Sequence, residues 1–287
     1  MNEAGHAGVE LSAYRAALEV RYAPLLVDHL GFDAPLRDVA QYALAGGKRL
    51  RPLLAELVGR VAGAPPAAVT EVAIAVEYLH VASILLDDLP SMDDASVRRG
   101  APPAHVRFSE AAAILTAVAL TSRSYALLLA APVARPEVNQ AMARLACDTV
   151  AGAMAVGQAL ELGPGDGLSP ERVRTIHERK TASLFGLVGS LVVAAGAARP
   201  SVAEPLMRFV TLLGRAYQII DDLEDEHEHG EAGVNLARLV GSAGAATEAH
   251  ELLRAARRTI ADLQGAESLH ACLDWLERRC DGAIAVE

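Results

Sequence analysis

Aromatic residues are scarce in this chain, and no convincing run of alternating polar and apolar residues is present. Only 4% of its 287 residues are Phe, Trp or Tyr, although 52% are hydrophobic and much of that apolar content is alanine. Strands favour β-branched and aromatic residues, whereas alanine suits closely packed helices best. The composition therefore argues against a β-sheet protein and predicts an all-α fold.

Positive charge is also scarce. The formal net charge is −10, and only two of the 26 basic residues are lysines, Lys48 and Lys180. Binding to nucleic acid needs a basic face that neutralises phosphates, so this balance argues against a nucleic-acid partner. It leaves room for a small phosphorylated ligand in a local basic pocket.

Cysteines are few. Cys147, Cys272 and Cys280 are odd in number and lack the spacing of a disulfide framework, which favours a reducing, cytoplasmic location. We expect Cys272 and Cys280 to be packing residues on a helix.

The N-terminus lacks the basic start and apolar block of a signal peptide. The longest uncharged stretch, residues 181–198, borders on the length of a membrane span, but its Gly, Ala and Ser content favours a buried core helix.

Helical periodicity dominates the rest of the chain. Clusters of Gly and Pro separate roughly ten helical stretches, among them residues 63–68, 98–103, 163–171 and 228–233. No Gly/Ser linker and no change of composition divides these stretches. The sequence therefore predicts one all-α domain over residues 1–287.

The stretch LLDDLPSMDDASVRRG, residues 85–100, places several aspartates directly after an apolar helical run. Pro90 is expected to end that helix near Leu89, so that Asp93 returns from a short bulge. Crowded carboxylates repel one another and therefore indicate a bound cation. Taken alone, however, the cluster is equally compatible with an acidic helix end exposed to solvent.

A second acidic cluster, IIDDLED at residues 219–225, repeats the same apolar-apolar-Asp-Asp-Leu pattern. Asp221 and Asp225 are four residues apart, so they share one helix face and lie about 6 Å apart along the axis. Two carboxylates on one face suit Mg²⁺, which prefers oxygen ligands and completes its shell with water and substrate phosphates. Because two such clusters each follow an apolar run, a solvated surface explains them less well, and we expect both to face one cavity.

Basic residues form two local clusters that are candidates for binding phosphate. The heptapeptide GGKRLRP holds Lys48, Arg49 and Arg51; it is not a P-loop, because the earlier glycine and the Ser or Thr after the lysine are missing. The second cluster is the pair Arg98 and Arg99, whose guanidinium groups suit bidentate contacts with phosphate. Acidic clusters for a metal and basic clusters for phosphate together fit a diphosphate held from two sides.

His80 precedes Asp87 by seven residues, so it lies on nearly the same helix face and about 10 Å away. A structural role and a ligand-binding role both remain open for it. No Ser or Cys has the neighbouring base of an activated nucleophile, and no GxGxxG motif indicates a dinucleotide. What remains is a metal-bound diphosphate above an apolar bundle, which suits the ionisation of an apolar diphosphate ester.

These motifs resemble those of the trans-isoprenyl diphosphate synthases, the polyprenyl synthetase family, and most of all its bacterial geranylgeranyl diphosphate synthases. The resemblance runs from about residue 46 to residue 241. GGKRLRP resembles the isopentenyl diphosphate loop, and residues 77–100 resemble the first aspartate-rich motif in its longer DDxxxxD form. GQALEL, RKTASL and YQIIDDLED resemble three further elements of the family.

The resemblance implies a Mg²⁺-dependent prenyltransferase. The family fold is an all-α bundle around a deep apolar cavity, usually in a homodimer. The reaction is a head-to-tail condensation, in which an allylic diphosphate ionises, the alkene of isopentenyl diphosphate attacks the cation and a proton leaves.

The resemblance also implies roles for individual residues. The expected metal ligands are Asp87, Asp93 and Asp221, with Asp88 in support. The residues expected to bind isopentenyl diphosphate are Lys48, Arg51, His80 and Arg99, and Arg98 is expected to bind the allylic diphosphate. The residues expected beside the allylic diphosphate and the developing cation are Lys180, Thr181 and Gln218.

The resemblance further bears on the length of the product. In this family the fifth residue before the first motif lines the floor of the cavity, and an aromatic residue there stops growth at fifteen carbons. That residue is Ala82 in this chain, with Ser83 beside it. Helical angle alone turns Ala82 aside from Asp87 and does not single it out. The open floor implies geranylgeranyl diphosphate as the main product, with farnesyl diphosphate as the alternative.

One departure from the family pattern follows the second motif, where lysines commonly grip the allylic diphosphate. Residues 226–241 contain no lysine, and Val234 stands about where one is expected. Arg238, or protonated His227 and His229, are candidates to compensate, although the HEH sequence is also typical of a solvated turn.

Two other functions share these features. A class I terpene cyclase has the same fold and metal chemistry, but it needs no isopentenyl diphosphate site and normally carries an Asn/Ser/Glu metal triad where this chain has DDLED. A catalytically silent regulatory subunit of a heteromeric synthase would explain the missing lysines, but it would not explain two intact aspartate motifs.

Overall fold

The computed structural model describes residues 3–163, 168–228 and 234–285, and within them all regular structure is helical apart from one isolated bridge. The all-α prediction is confirmed. The α-helices are α1 (Glu3–Asp28), α2 (Leu36–Leu44), α3 (Leu50–Ala62), α4 (Pro66–Asp87), α5 (Ala104–Arg107), α6 (Glu110–Ala130), α7 (Pro136–Thr149), α8 (Ala155–Glu161), α9 (Pro170–His177), α10 (Ser183–Gly196), α11 (Pro200–Glu228), α12 (Leu236–Val240), α13 (Ser242–Thr259) and α14 (Glu267–Ile284).

Two π-helical segments interrupt what would otherwise be continuous helices. Val150–Met154 joins α7 to α8, and Glu178–Ala182 joins α9 to α10. These interruptions, together with the short helices α5 and α12, are why the segments outnumber the roughly ten predicted helices. Such segments are frequent at functional sites, because the extra residue changes the direction of the side chains that follow.

Helix α4 lies at the centre of the bundle and packs against α3, α6 and α10. Its side chains are buried on several sides, among them Ile74 and Tyr78. Neighbouring α10 carries most of the uncharged stretch of residues 181–198, and Leu187 and Val188 within it are buried. The prediction of a core helix for that stretch is therefore confirmed.

Two helices, Pro66–Asp87 and Glu110–Ala130, are long and apolar enough to cross a membrane by length and composition. In α4, 67% of the most apolar window is buried inside the protein, as in the core helices of globular proteins. In α6 only 39% of that window is buried, because one apolar face of α6 is exposed. Length and composition alone therefore do not distinguish a packed helix from a membrane span here.

The C-terminal end of α4 behaves as Pro90 predicts. The helix ends at Asp87, and the chain turns back so that the Asp93 amide donates a hydrogen bond to the Asp87 carbonyl at 2.9 Å. The Ala95 amide likewise donates to the Asp88 carbonyl at 3.2 Å. This turn brings Asp93 back towards the end of the helix, as expected from the sequence.

All three cysteines are free thiols. Cys272 and Cys280 are buried on α14, as predicted for packing residues, whereas Cys147 is exposed. Helix α14 packs against α1, α11 and α13. It thereby brings the C-terminal part of the chain against the helix that carries the second acidic cluster.

Candidate active site

An apolar cavity of about 280 Å³ lies along one face of α4. Its lining residues on α4 recur at three- and four-residue spacing, which is the spacing of one helix face. These residues are Leu79, Ala82, Ser83, Leu86 and Asp87. Thr121 of α6 and Met154 of the first π-helical segment form parts of the other walls. Ala82, which helical angle alone did not single out, therefore does line this cavity.

A larger, basic cavity of about 790 Å³ lies along another face of α4. From α4 and its C-cap it is lined by Glu77, His80, Ile84, Leu85 and Asp88. The first turn of α3 contributes Arg51, and the flanking loops contribute Lys48, Arg49, Arg98 and Arg99, among others. Successive positions on a helix are rotated by about 100°, so the neighbouring Asp87 and Asp88 point into different cavities.

A third pocket, of about 180 Å³, lies between these two cavities. It shares Arg51 and His80 with the basic cavity, and Asp87 and Lys180 with the apolar one. Eight of the predicted site residues line it: Arg51, His80, Ser83, Asp87, Lys180, Thr181, Gln218 and Asp221. The prediction that the two aspartate clusters face one cavity is therefore confirmed for Asp87 and Asp221. Asp93 is exposed and lines none of the three spaces.

Lys180 lies on the second π-helical segment and pairs with carboxylates on two other helices. Its Nζ donates a hydrogen bond to Glu161 Oε2 at 2.6 Å and lies 3.7 Å from Asp87 Oδ2. Burial would lower the pKa of Lys180, but Asp87 and Glu161 outweigh burial and raise it. A Cβ on Gly157 would lie 2.5 Å from the Lys180 backbone nitrogen, so only glycine permits this approach of α8.

Asp87 is a carboxylate in an unfavourable environment. Burial raises its pKa to about 6; Lys180 opposes the shift, while the charges of Asp93 and Glu161 add to it. A partly buried carboxylate crowded by other acids favours an additional cation beside it. Its environment therefore agrees with the prediction of a metal at this helix end.

The two adjacent aspartates of the second acidic cluster, Asp221 and Asp222, have different environments. Asp222 is buried: its Oδ2 accepts a hydrogen bond from the Leu236 amide at 2.6 Å, and its Oδ1 accepts one from Gln218 Nε2 at 3.0 Å. Burial raises the pKa of Asp222 to about 7 despite these hydrogen bonds. Asp222 therefore joins α11 to the first turn of α12, while Asp221 faces the pocket and Asp225 lies at the edge of the basic cavity.

Asp221 is enclosed by cations that the sequence motifs did not connect with it. Arg279 of α14 donates a hydrogen bond to Asp221 Oδ1 at 2.9 Å and another to Glu224 Oε1 at 2.8 Å. Lys48 Nζ lies 3.7 Å from Asp221 Oδ1 and 3.3 Å from Glu224 Oε2. Glu224 and Arg279 were missed by the sequence analysis. The regular apolar spacing of α14 offered no signal that one arginine turns inward.

The basic loop, GGKRLRP at residues 46–52, runs into the first turn of α3 and holds its two arginines in different environments. Arg49 has a left-handed backbone (φ 46°), and its buried guanidinium pairs with Glu77 at 2.7 Å and with Glu19 at 2.6 Å. It therefore fixes the loop to α4 and α1. Arg51 is only 8% exposed and lies 4.9 Å from the centre of the Phe185 ring. Its Nε has no hydrogen-bond partner among the described residues.

His80, Arg99 and Arg98 complete the basic cavity. Burial, and then the charges of Arg51 and Arg99, lower the pKa of His80 well below its usual range, so its imidazole is neutral. Arg99 Nη1 donates a hydrogen bond to the Ala45 carbonyl at 2.9 Å, which supports the glycine turn. Arg98 Nε donates to Asp88 Oδ1 at 2.8 Å, so two of the predicted site residues form a pair with each other.

Val234, the position where the family pattern suggests a lysine, is partly buried and packs against the core. Its backbone forms a hydrogen bond with His177. That contact raises the pKa of His177, but burial has the larger effect and lowers the pKa to about 4. Arg238 is partly buried on α12. The histidines considered as substitutes, His229 and the side chain of His227, fall outside the described residues.

The bundle has the fold of the isoprenoid synthases. The crystal structure of geranyltransferase from Legionella pneumophila superposes with a TM-score of 0.87 at 26% identity, over 98% of this chain and 99% of that one. The profile of the polyprenyl synthetase family matches residues 33–232, more than half of the chain, and the chain therefore belongs to that family.

Two curated relatives show the same relationship at the level of sequence. The geranylgeranyl diphosphate synthase of Pseudescherichia vulneris is 34% identical over 224 residues, covering 76% of this chain and 72% of the relative. The farnesyl diphosphate synthase of Haemophilus influenzae is 32% identical over 241 residues, covering 78% of this chain and 82% of the relative.

Replacing Asp87 by asparagine is expected to stabilise the metal-free protein at pH 8. The pKa of the Asp87 carboxyl is about 6 in the folded chain and about 4 in the unfolded chain, so its ionisation above these values opposes folding. We expect the free energy of unfolding to rise by about 2–3 kcal/mol at pH 8, because each unit of pKa difference is worth about 1.4 kcal/mol. Because the folded protein takes up this proton as the pH falls through about 6, the difference should vanish near pH 4.

Thermal unfolding in EDTA at both pH values measures this effect. Asp148→Asn, which removes an exposed carboxylate on α7, is the matched control and should leave the midpoint unchanged at both. If Asp87→Asn instead unfolds at a lower temperature than the wild type at pH 8, the attraction between Asp87 and Lys180 stabilises the fold by more than burial of the Asp87 charge destabilises it.

Proposed function

We propose that this chain is a prenyltransferase that condenses an allylic diphosphate head-to-tail with isopentenyl diphosphate, and that its main product is geranylgeranyl diphosphate. The observation that carries the proposal is the meeting of two unlike cavities at one pocket. The basic cavity suits a compact diphosphate, and the apolar cavity, which begins at Asp87, suits a hydrocarbon chain. The names of the relatives support the same reaction.

Isopentenyl diphosphate is proposed to occupy the basic cavity. Arg51 supports this assignment most directly, because a buried guanidinium without an ion pair among the described residues favours an anionic ligand. Lys48, Arg99 and neutral His80 line the same space and would contribute further donors. The alkene end of the substrate would then point towards the pocket that Arg51 and His80 share with Asp87.

Mg²⁺ is proposed as the metal. The donors are carboxylate oxygens of Asp87, Asp93 and Asp221, the ligand type that Mg²⁺ prefers. In the described part of the chain, no three His, Cys, Asp or Glu side chains are close enough to bind a metal by themselves. That fits an ion shared with water and a diphosphate, which Mg²⁺ would stabilise as a leaving group.

Asp88 is proposed to act through Arg98. Its carboxylate accepts the Arg98 guanidinium and faces the basic cavity, away from the face of Asp87. A carboxylate that is already paired in this way is better placed to fix an arginine than to bind a metal directly. Arg98 would in turn contact the allylic diphosphate at the boundary between the two sites.

The reaction would take place in the pocket between the two cavities. The bond between the allylic C1 and its oxygen breaks with the electron pair going to diphosphate. The alkene pair of isopentenyl diphosphate forms the new carbon–carbon bond, and a proton passes from the isopentenyl unit to the released diphosphate. Lys180, Thr181 and Gln218 line this pocket and would stabilise the departing diphosphate and the cation, while the apolar walls exclude water.

A condensation assay on the purified chain tests the function. With Mg²⁺, isopentenyl diphosphate and an allylic diphosphate, the wild type should elongate the allylic substrate. Asp221→Ala should lower turnover by at least about 100-fold, as expected for losing one group that stabilises developing charge, and Asp148→Ala should not. Cyclised product would favour a terpene cyclase, no turnover would favour a regulatory subunit, and near-normal turnover of Asp221→Ala would contradict its metal role.

Product length is proposed to depend on Ala82, because Ala82 lies in the apolar cavity five residues before Asp87. We expect Ala82→Tyr to shift the main product from twenty to fifteen carbons with modest loss of total turnover, since the tyrosine ring would fill part of the apolar cavity that Ala82 lines. Chromatography of the dephosphorylated products measures the shift.

An unchanged product distribution in a well-folded Ala82→Tyr would show that another wall sets the length. Thr121→Phe, on the facing side of the same cavity, is the second variant that distinguishes these cases. Thermal midpoints of both variants report whether they fold.

A homodimer and a cytoplasmic location are also proposed. Three free cysteines support the location. The dimer is supported by the apolar residues that α6 exposes on one face: Ile114 (41% exposed), Leu115 (55%), Val118 (58%) and Leu129 (54%). A contiguous exposed apolar face is typical of a protein interface.

Charged residues on that face should separate the protomers. We expect the double variant Leu115→Glu/Val118→Glu to sediment at the mass of one chain, whereas the wild type sediments at twice that mass. Val20→Glu, at a 77% exposed valine on α1, is the control and should remain dimeric. A monomeric wild type would contradict the proposal.

A further inference from the structure

The second acidic cluster and the basic loop share a balanced network of four charges. Two carboxylates, Asp221 and Glu224, are neutralised by two cations, Arg279 and Lys48. Each cation contacts both carboxylates. The network therefore links α11, α14 and the loop before α3 at the edge of the proposed metal and isopentenyl diphosphate sites.

The two cations are held very differently. The Arg279 side chain is 12% exposed, donates to Glu224 and Asp221, and lies about 5 Å from the ring centres of Tyr217 (5.1 Å) and Trp275 (5.0 Å). The Lys48 side chain is 52% exposed and its contacts are longer, 3.3 and 3.7 Å. An exposed lysine pair contributes little, whereas a buried bidentate arginine is strongly fixed.

A metal ion that binds Asp221 would upset this balance, because it adds two positive charges to a network that is already neutral. The added charge repels the cations already at Asp221, and the weakly held Lys48 moves away more readily than Arg279. The backbone of the loop need not move with it, since Arg15 donates a hydrogen bond to the Lys48 carbonyl at 3.1 Å. The side chain of Lys48 already lines the basic cavity.

We propose that Glu224, fixed by Arg279, is a positioning residue that retains Lys48 on the second acidic cluster until a metal displaces it into the basic cavity. The inference rests on the proposed function in one respect, namely that Lys48 contacts the diphosphate of isopentenyl diphosphate. Metal binding at Asp221 and isopentenyl diphosphate binding are then coupled through Lys48. Because such coupling is reciprocal, each ligand strengthens the binding of the other.

Equilibrium binding of isopentenyl diphosphate to the full chain tests the coupling without turnover. Calorimetry in EDTA should show that Glu224→Gln binds about two- to fivefold more tightly than the wild type, the range expected for releasing Lys48 from one partly exposed ion pair. With Mg²⁺ and inorganic diphosphate present, the two proteins should bind nearly alike. A structural defect would weaken binding rather than strengthen it.

Two control variants isolate the role of Lys48. Glu204→Gln removes an exposed carboxylate from the same helix and should bind as the wild type does. In a Lys48→Gln background, Glu224→Gln should have no effect, because the cation it releases is absent. An equal gain in that background would show a general charge effect and overturn the inference.

Two further outcomes separate this inference from the proposed function. If the wild type binds isopentenyl diphosphate normally and Glu224→Gln gains nothing in EDTA, the coupling is overturned and the proposed function stands. If the wild type binds none with or without Mg²⁺, the proposed function fails, and the coupling fails with it.

Discussion

The arrangement of this site depends on the end of one helix. Helix α4 is buried on several sides, yet it borders an apolar cavity along one face and a basic cavity along another. Because its last residue and the next are rotated by about 100°, Asp87 serves the first space and Asp88 the second. Pro90 ends the helix directly afterwards and returns Asp93 towards Asp87. A helix that continued would carry these carboxylates away from one another.

Asp87, Asp88 and Asp221 are each matched by a cation, and the cations at Asp87 and Asp221 come from distant parts of the chain. Lys180 pairs with Asp87, Arg98 with Asp88, and Arg279 and Lys48 with Asp221. Burying unpaired carboxylates would cost several kcal/mol, so the metal-free fold needs these partners. The basic cavity is different, because Arg51 is buried there without an ion pair to any carboxylate in the described part of the chain. This difference is what makes one space suited to metal and the other to an anion.

Helical class, the end of α4 and the convergence of the two aspartate clusters could all be predicted from the sequence. Each depends on a local signal: alanine content, Pro90, and apolar runs that end in carboxylates. Partners from distant helices could not be predicted. Glu224 and Arg279 lie 55 residues apart, and neither belongs to a pattern that identifies an inward-facing charge. Arg49 likewise looks like a phosphate ligand in sequence, but its left-handed backbone turns it towards Glu77.

The two π-helical segments bring Lys180 and Met154 to the same pocket. One segment carries Lys180 and Thr181, and the other carries Val150 and Met154 on the facing wall. Helix α8, which follows the first segment, can approach the second closely because Gly157 has no Cβ to meet the Lys180 backbone. In GQALEL and RKTASL, the glycine and the lysine are therefore parts of one contact: the first makes room, and the second supplies the charge. This chain has valine, not lysine, at position 234, and its other lysine, Lys48, lines the basic cavity. Lys180 is therefore the one lysine that lines the pocket between the two cavities.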